Sequence, residues 1–170
     1  MSAFLDINQY PRAWALAAEL QLRAEAILVE GADAVEKGLF TEWPEPINLG
    51  GWLTFGLKWQ GQMLDHWPQF TAGRFAAMAE GLVINCGYSL MMPGAEIAPH
   101  VGYTSDVLRL HLGLSVPEGD CALIVGDERR EWAQGDVLLF DDTVAHSAHN
   151  KTEGPRLILL VDVLKARAGE

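Results

Sequence analysis

A chain of 170 residues fits one compact domain and is long enough to bury a substantial core without disulfide or metal staples. Its 49% hydrophobic and 21% charged content is ordinary globular composition, which argues against extended disorder. Basic and acidic residues give 12 − 23 = −11, so a nucleic-acid or anionic-membrane surface would have to be built against the overall field, and no basic cluster is present to build it.

The opening MSAFLDINQYPRAW has no positive segment followed by an apolar run, and no later stretch approaches the roughly 18 apolar residues of a membrane helix. No membrane span and a cytoplasmic location are expected. Cys86 and Cys121 each sit in an apolar, strand-like segment outside any CxxC context, so both are expected to be buried free thiols.

From about Tyr10 to Lys37, Trp14, Leu16, Ala17, Leu20, Ala24, Ile27, Leu28 and Val35 recur near helical spacing, and Pro11 suits a first helical turn. This predicts one helix, or two broken near Gly31. Its apolar residues offer a surface for a second copy, so a homo-oligomer is compatible with the sequence. After the Pro-rich Trp43 to Pro46, the segment INLGGWLTFGLKWQGQ mixes β-branched and aromatic residues with glycines and predicts a strand or hairpin. Met63 to Gly81, with Trp67, Phe70, Phe75 and Met78, leans helical.

From Leu82 the texture changes to short apolar runs, LVINCGYSLM, VLRLHLGLSV, CALIVG, DVLLF and RLILLVDVL, separated by Pro, Gly and Asp turns. Such spacing predicts an all-β sandwich or barrel. The expected organisation is a single domain over residues 1–170, with helices and supporting strands in 1–81 and the β core in 82–165. In LRLHLGLSV, alternation places Arg109, His111 and Gly113 on one face and Leu108, Leu110, Leu112 and Leu114 on the other. If the leucines enter a packed layer, Arg109 and His111 point together into solvent or into a polar cavity.

His100 and His146 are the candidate metal ligands, and Arg156 opens the last strand. An iron-like ion needs neutral imidazoles on a rigid scaffold with positions left open for ligand and oxygen. Two distant histidines alone prove little, since histidines of this kind are more often hydrogen-bonded core or surface residues than ligands.

Three segments add context: GYSLMMPGAEIAPHVGYTSDVLRLHLGLSVP, EWAQGDVLLFDDTVAHSAHN and RLILLVDV. Their ordered motifs, PG, PHxG, LRxHLGL, W-x-x-G, FDDT-x-x-H and R-x-x-LxxDV, resemble the aspartyl/asparaginyl β-hydroxylase family of Fe(II)- and 2-oxoglutarate-dependent oxygenases. The resemblance implies a double-stranded β-helix (jelly roll, cupin-like) with flanking helices, iron as cofactor, and 2-oxoglutarate and O2 as cosubstrates. It implies a dioxygenase that hydroxylates an unactivated C–H bond and converts 2-oxoglutarate to succinate and carbon dioxide. Carried over by position, His100 and His146 match the iron ligands. Arg156 matches the arginine that pairs with the distal carboxylate of 2-oxoglutarate, and Ser89 matches its hydroxyl partner. His111 matches a histidine near the chelating end of the cosubstrate, and Arg109 an arginine between cosubstrate and substrate.

The usual non-haem iron site has a carboxylate two residues after the first histidine, where this chain has Gly102. The resemblance implies water at that position. Asp141 and Asp142 are outside candidates for it, with turn or supporting roles as the simpler reading. An open position beside iron also suits a halide, so a halogenase is an alternative, as is a non-catalytic metabolite-binding barrel.

Where the resemblance leads one to expect further arginines for an acidic substrate, this chain has Val107 and Leu53. A small molecule, an amino-acid derivative or acyl chain, is therefore favoured over a protein side chain. Trp52, Phe55 and Trp59 are candidates to line an apolar pocket and Lys58 to offer a cation, against core and surface roles. His66 and His149 are read as structural.

Overall fold

The computed structural model describes residues 2–64, 71–79 and 81–170. Helices α1 (Pro11–Leu22) and α2 (Ala24–Glu36) open the chain, followed by strands β1 (Thr41–Glu42), β2 (Trp52–Trp59) and β3 (Gln62–Met63), and helix α3 (Thr71–Ala77). Then come β4 (Val83–Met91), β5 (Glu96–His100), β6 (Val107–Ser115), β7 (Cys121–Val125), β8 (Glu128–Glu131), β9 (Val137–Asp141), β10 (His146–Asn150) and β11 (Arg156–Leu164), and the short α4 (Lys165–Ala168).

The strands form two antiparallel sheets, the larger in the order β1-β2-β4-β11-β6-β9 with β3 paired to β2, and the smaller in the order β5-β10-β7-β8. The fold is mainly β with flanking helices, a double-stranded β-helix of the jelly-roll type. Strands β1–β3 extend the same sheet as β4, so the front of the chain contributes to the barrel itself.

Alternation divides the large sheet. Leu108, Leu110, Leu112 and Leu114 of β6 and Leu157, Leu159, Val161 and Val163 of β11 join one buried cluster with Leu16, Leu20 and Ile27 of the helices. A second cluster, including Trp52, Met91, Leu123, Trp132, Phe140 and Ile158, fills the space between the sheets. Each face obeys the period of two that the sequence showed.

The front helices break at Arg23 (φ −103, ψ 4) rather than near Gly31. Gly31 lies buried inside α2, where an added Cβ would stand 2.9 Å from Tyr88 Cε1, so the glycine serves close helix–sheet packing. Of the helix expected over Met63 to Gly81, the described residues Thr71–Ala77 are helical, while Met63 instead pairs with Lys58 in the β2–β3 hairpin. Trp67, Phe70 and His66 lie outside the described residues. Both cysteines are free and buried. Among the described residues, no helix is long and apolar enough to cross a membrane.

Candidate active site

The cleft between the sheets is lined by Trp52, Ser89, His100, Arg109, His111, Trp132, Phe140, His146 and Arg156, among others. Strand register assembles it. His146 of β10 lies directly opposite His100 of β5, and their ring centroids are 4.3 Å apart with planes at 57°. Each ring is oriented by its own strand: His100 Nδ1 is 2.9 Å from the Ala98 carbonyl and His146 Nδ1 is 2.8 Å from the Val144 carbonyl. A proton on Nδ1 leaves each Nε2 as a lone pair. His146 Nε2 is buried without a hydrogen-bond partner. Burial, with the nearby charges of His100 and Arg109, lowers the His146 pKa to about 4, so the ring is neutral at neutral pH.

Arg156 is 1% exposed, and its guanidinium donates to Ser89 Oγ at 3.3 Å and lies 4.5 Å over the Trp132 ring. Among the described residues no carboxylate pairs with it, and its Nε has no partner. Burial lowers its pKa to about 10, which still leaves it charged at neutral pH. A buried unpaired cation is costly, and a carboxylate matched to its fork of donors would relieve that cost. Ser89 is held from the other side by Trp52 Nε1, which donates to its Oγ at 2.9 Å.

His111 accepts from Trp132 Nε1 at Nδ1, 3.2 Å, and its Nε2 is buried without a partner. Burial and the neighbouring arginines keep the ring neutral, so Nε2–H is a donor aimed at whatever fills the cleft. Gly113, on the same face, lies under the β8–β9 connection; an added Cβ would be 2.1 Å from the Ala133 carbonyl.

Arg109 is committed to two acids. Its Nε and Nη2 donate to Asp162 at 2.8 and 3.0 Å, and its Nη1 stands 2.8 Å from Asp142 Oδ1. Burial opposes its charge, but Asp162 and Asp142 outweigh that and hold it on. Asp142 is fully buried, with Oδ1 3.5 Å from His146 Nε2. The Arg109 contact is off the hydrogen-bond line, so neither Asp142 oxygen accepts a well-directed bond. Burial, partly offset by Arg109, raises its pKa to about 6. A lone pair and a carboxylate facing each other in this way favour a proton or cation between them.

Asp142 also occupies the room that Gly102 leaves: a Cβ there would fall 1.7 Å from Asp142 Oδ2. Asp141 instead caps the turn, accepting from Thr143 N and Oγ1 and pairing with Lys165 Nζ at 2.8 Å. Among the described residues no group of three His, Cys, Asp or Glu side chains has metal-binding geometry. Two facing imidazoles, His100 and His146, could serve as donors to a metal.

The family described as aspartyl/asparaginyl beta-hydroxylase matches residues 20–166. The chain belongs to this family. It is 37% identical over 137 residues to the aspartyl/asparaginyl beta-hydroxylase of Mus musculus and 35% identical over 144 to that of Homo sapiens. Each alignment covers 75% of this chain, which spans only 18% of either relative's length. Aspartate beta-hydroxylase domain-containing protein 1 of Mus musculus is 44% identical over 82 residues, 46% of this chain and 22% of that protein. A Pseudomonas putida prolyl-4-hydroxylase structure shares the fold, with a TM-score of 0.61 at 17% identity over 85% of this chain and 86% of that one.

The cleft thus brings together His100, His146, Ser89, Arg109, His111 and Arg156. Lys58 does not reach it: its Nζ donates 2.9 Å to the Ala77 carbonyl under α3. Phe55 turns to the helix side and stacks on Tyr88, centroids 6.1 Å apart. A register shift between Gly56 and Lys58 changes the parity of β2, so Lys58 falls on the helix side and Trp59 returns to the side of Trp52. Trp132, Asn85, Tyr103 and Asp162 carried no assigned role in the sequence. The signal for Asp162 was available in the strand pairing, which sets it directly across from Arg109.

Proposed function

We propose that the protein is an Fe(II)- and 2-oxoglutarate-dependent dioxygenase that hydroxylates a C–H bond of a small molecule or an amino-acid side chain. The observation that carries this reading is a facing two-histidine pair in one cleft, with His146 neutral, beside a buried arginine that has no carboxylate partner among the described residues. His100 and His146 would hold the metal through Nε2. Arg156 and Ser89 would hold the far carboxylate of the cosubstrate, and His111 would donate Nε2–H toward its chelating end. Bound iron and 2-oxoglutarate supply oxygen activation and the oxidising power to break a C–H bond.

The chain's own part is positioning and exclusion. Trp52, Trp132 and Phe140 wall the cleft and keep water from it. Asp142, pinned by Arg109, places a carboxylate beside the metal-facing nitrogen of His146 without extending from the residue after Val101. That arrangement favours hydroxylation over halogenation, since the room a halide would use beside Gly102 holds an anion. The absence of a carboxylate ligand at position 102 leaves water or another exogenous ligand to complete the coordination.

The test is succinate formation from 2-oxoglutarate by iron-loaded protein, with oxygen uptake and metal content compared in His146→Ala. Succinate production that needs iron and is lost in the variant supports the reading. Protein that takes up iron yet neither binds nor turns over 2-oxoglutarate leaves a binding-only barrel as the better description.

A further inference from the structure

Trp59 and Tyr103 remain 44% and 51% exposed, and their rings pack on each other with centroids 5.6 Å apart and planes at 34°. Single exposed aromatics are ordinary, but this pair is bracketed from beneath by a buried polar residue. Asn85, 3% exposed, donates 2.7 Å to Tyr103 Oη and 2.7 Å to Asp162 Oδ2, and its carbonyl accepts 2.8 Å from the Gln60 backbone N–H. Gln60 adjoins Trp59 and, with φ 47, begins a tight turn that a non-glycine residue adopts only with support. One amide therefore fixes both halves of the shelf.

The shelf is joined to the cleft. Trp43 lies 6.3 Å from Trp59 and 5.1 Å from Trp52, which holds Ser89. Tyr103 follows His100 by three residues, so their backbones are at most about 11 Å apart.

The charge around the shelf is negative. Asp142 and Asp162 outnumber Arg109 beneath it, and the exposed Glu45 accepts from Trp43 Nε1 at its edge, 3.2 Å. Among the described basic side chains, only Lys58, bound to a carbonyl, and Arg156, deep beside Ser89, lack a carboxylate partner. No described cation beside the shelf is free to meet an anionic substrate. Aromatic faces are themselves negative and attract ammonium and guanidinium groups.

We propose, resting on the oxygenase reading, that the Trp59–Tyr103 shelf binds a cationic group of the substrate, so that the enzyme acts on a basic small molecule or basic side chain rather than an acidic one. The experiment is calorimetric titration of the full chain, loaded with Mn(II) and 2-oxoglutarate, against L-arginine, its uncharged isostere L-citrulline, and L-aspartate. L-Arginine is expected to bind about tenfold more tightly than L-citrulline, with L-aspartate weakest, and Trp59→Leu is expected to erase the preference. Should that variant fail to fold, Tyr103→Leu reads the same loss. Equal binding of arginine and citrulline, tighter binding of aspartate, no binding of L-arginine, or a preference that survives both substitutions overturns the proposal. The 2-oxoglutarate titration on the unaltered protein separates the two failures: without it the oxygenase reading falls, and with it intact only the shelf does.

Discussion

On the outward face of β6 and β11, Leu108, Leu110, Leu112, Leu159, Val161 and Val163 are buried against the helices and each other, with no polar atom to satisfy. On the inward face of the same two strands stand Arg109, His111, Arg156 and Asp162, and His111 Nε2 and Arg156 Nε have no partner. One surface is finished by folding, while the other retains unmet donors whose natural complement is a carboxylate. Packing accounts for the stability of these strands, and the unfinished face accounts for their use.

The sharpest way to break the contrast is Asp162→Ala. It would leave Arg109 buried with Asp142 as its remaining acid, and removing one member of a buried pair typically costs about 3–5 kcal/mol. Denaturant melts should show the loss, and a change below about 1 kcal/mol would mean the inward network contributes little to folding.

Next is a paired substitution, one on each face. Leu110→Ala, at a fully buried position, should cost about 2–5 kcal/mol through lost burial and a cavity. Arg156→Met should leave stability unchanged or raise it, because an unpaired buried charge is removed, while 2-oxoglutarate affinity falls about a hundredfold. Equilibrium unfolding and calorimetric titration read the two quantities separately. Equal destabilisation by both substitutions would erase the distinction between the faces.

A smaller effect is expected at Gly102. Gly102→Ala puts a methyl group where Asp142 Oδ2 now lies, so it should lower stability by about 1–3 kcal/mol. In the Asp142→Ala background most of that cost should vanish. A double-mutant coupling near zero in thermal melts would mean that the carboxylate moves aside freely.

Much of this division was legible before any coordinates. The alternation of LRLHLGLSV separates the leucines from Arg109 and His111, because a strand's period of two needs no tertiary information. Arg156, Ser89 and the two histidines were named from motif order, and register alone brings residues 100 and 146 face to face. What stayed hidden depended on events that pattern does not encode. The parity change in β2 exchanges the sides of Lys58 and Trp59, turning Lys58 to the helices and Trp59 toward Trp43. The helix break falls at Arg23, while Gly31 lies inside α2 and serves the close approach to Tyr88. Arg109's commitment to two acids is a matter of three strands meeting, with Asp162 supplied by β11 and Asp142 by the turn after β9.

The subtlest expected effect is on acid stability of the metal-free protein, where His146 and Asp142 act in opposite directions. Burial first, then nearby positive charge, holds the folded His146 pKa at about 4 against an ordinary value of 6.5. As pH falls below 6.5 the unfolded chain binds a proton that the folded chain refuses, so stability declines until about pH 4. Asp142 behaves in reverse: burial raises its pKa to about 6 from 3.8, so between those values the folded chain binds the extra proton and stability rises as pH falls. Over roughly pH 6 to 4 the two slopes oppose and nearly cancel. Asp142→Asn removes the compensating proton and exposes the histidine slope, up to about 1.4 kcal/mol per pH unit. Urea midpoints of the metal-free variant should therefore fall more steeply than those of the parent between pH 6 and 4, and parallel curves would show that the two groups do not titrate as their burial requires.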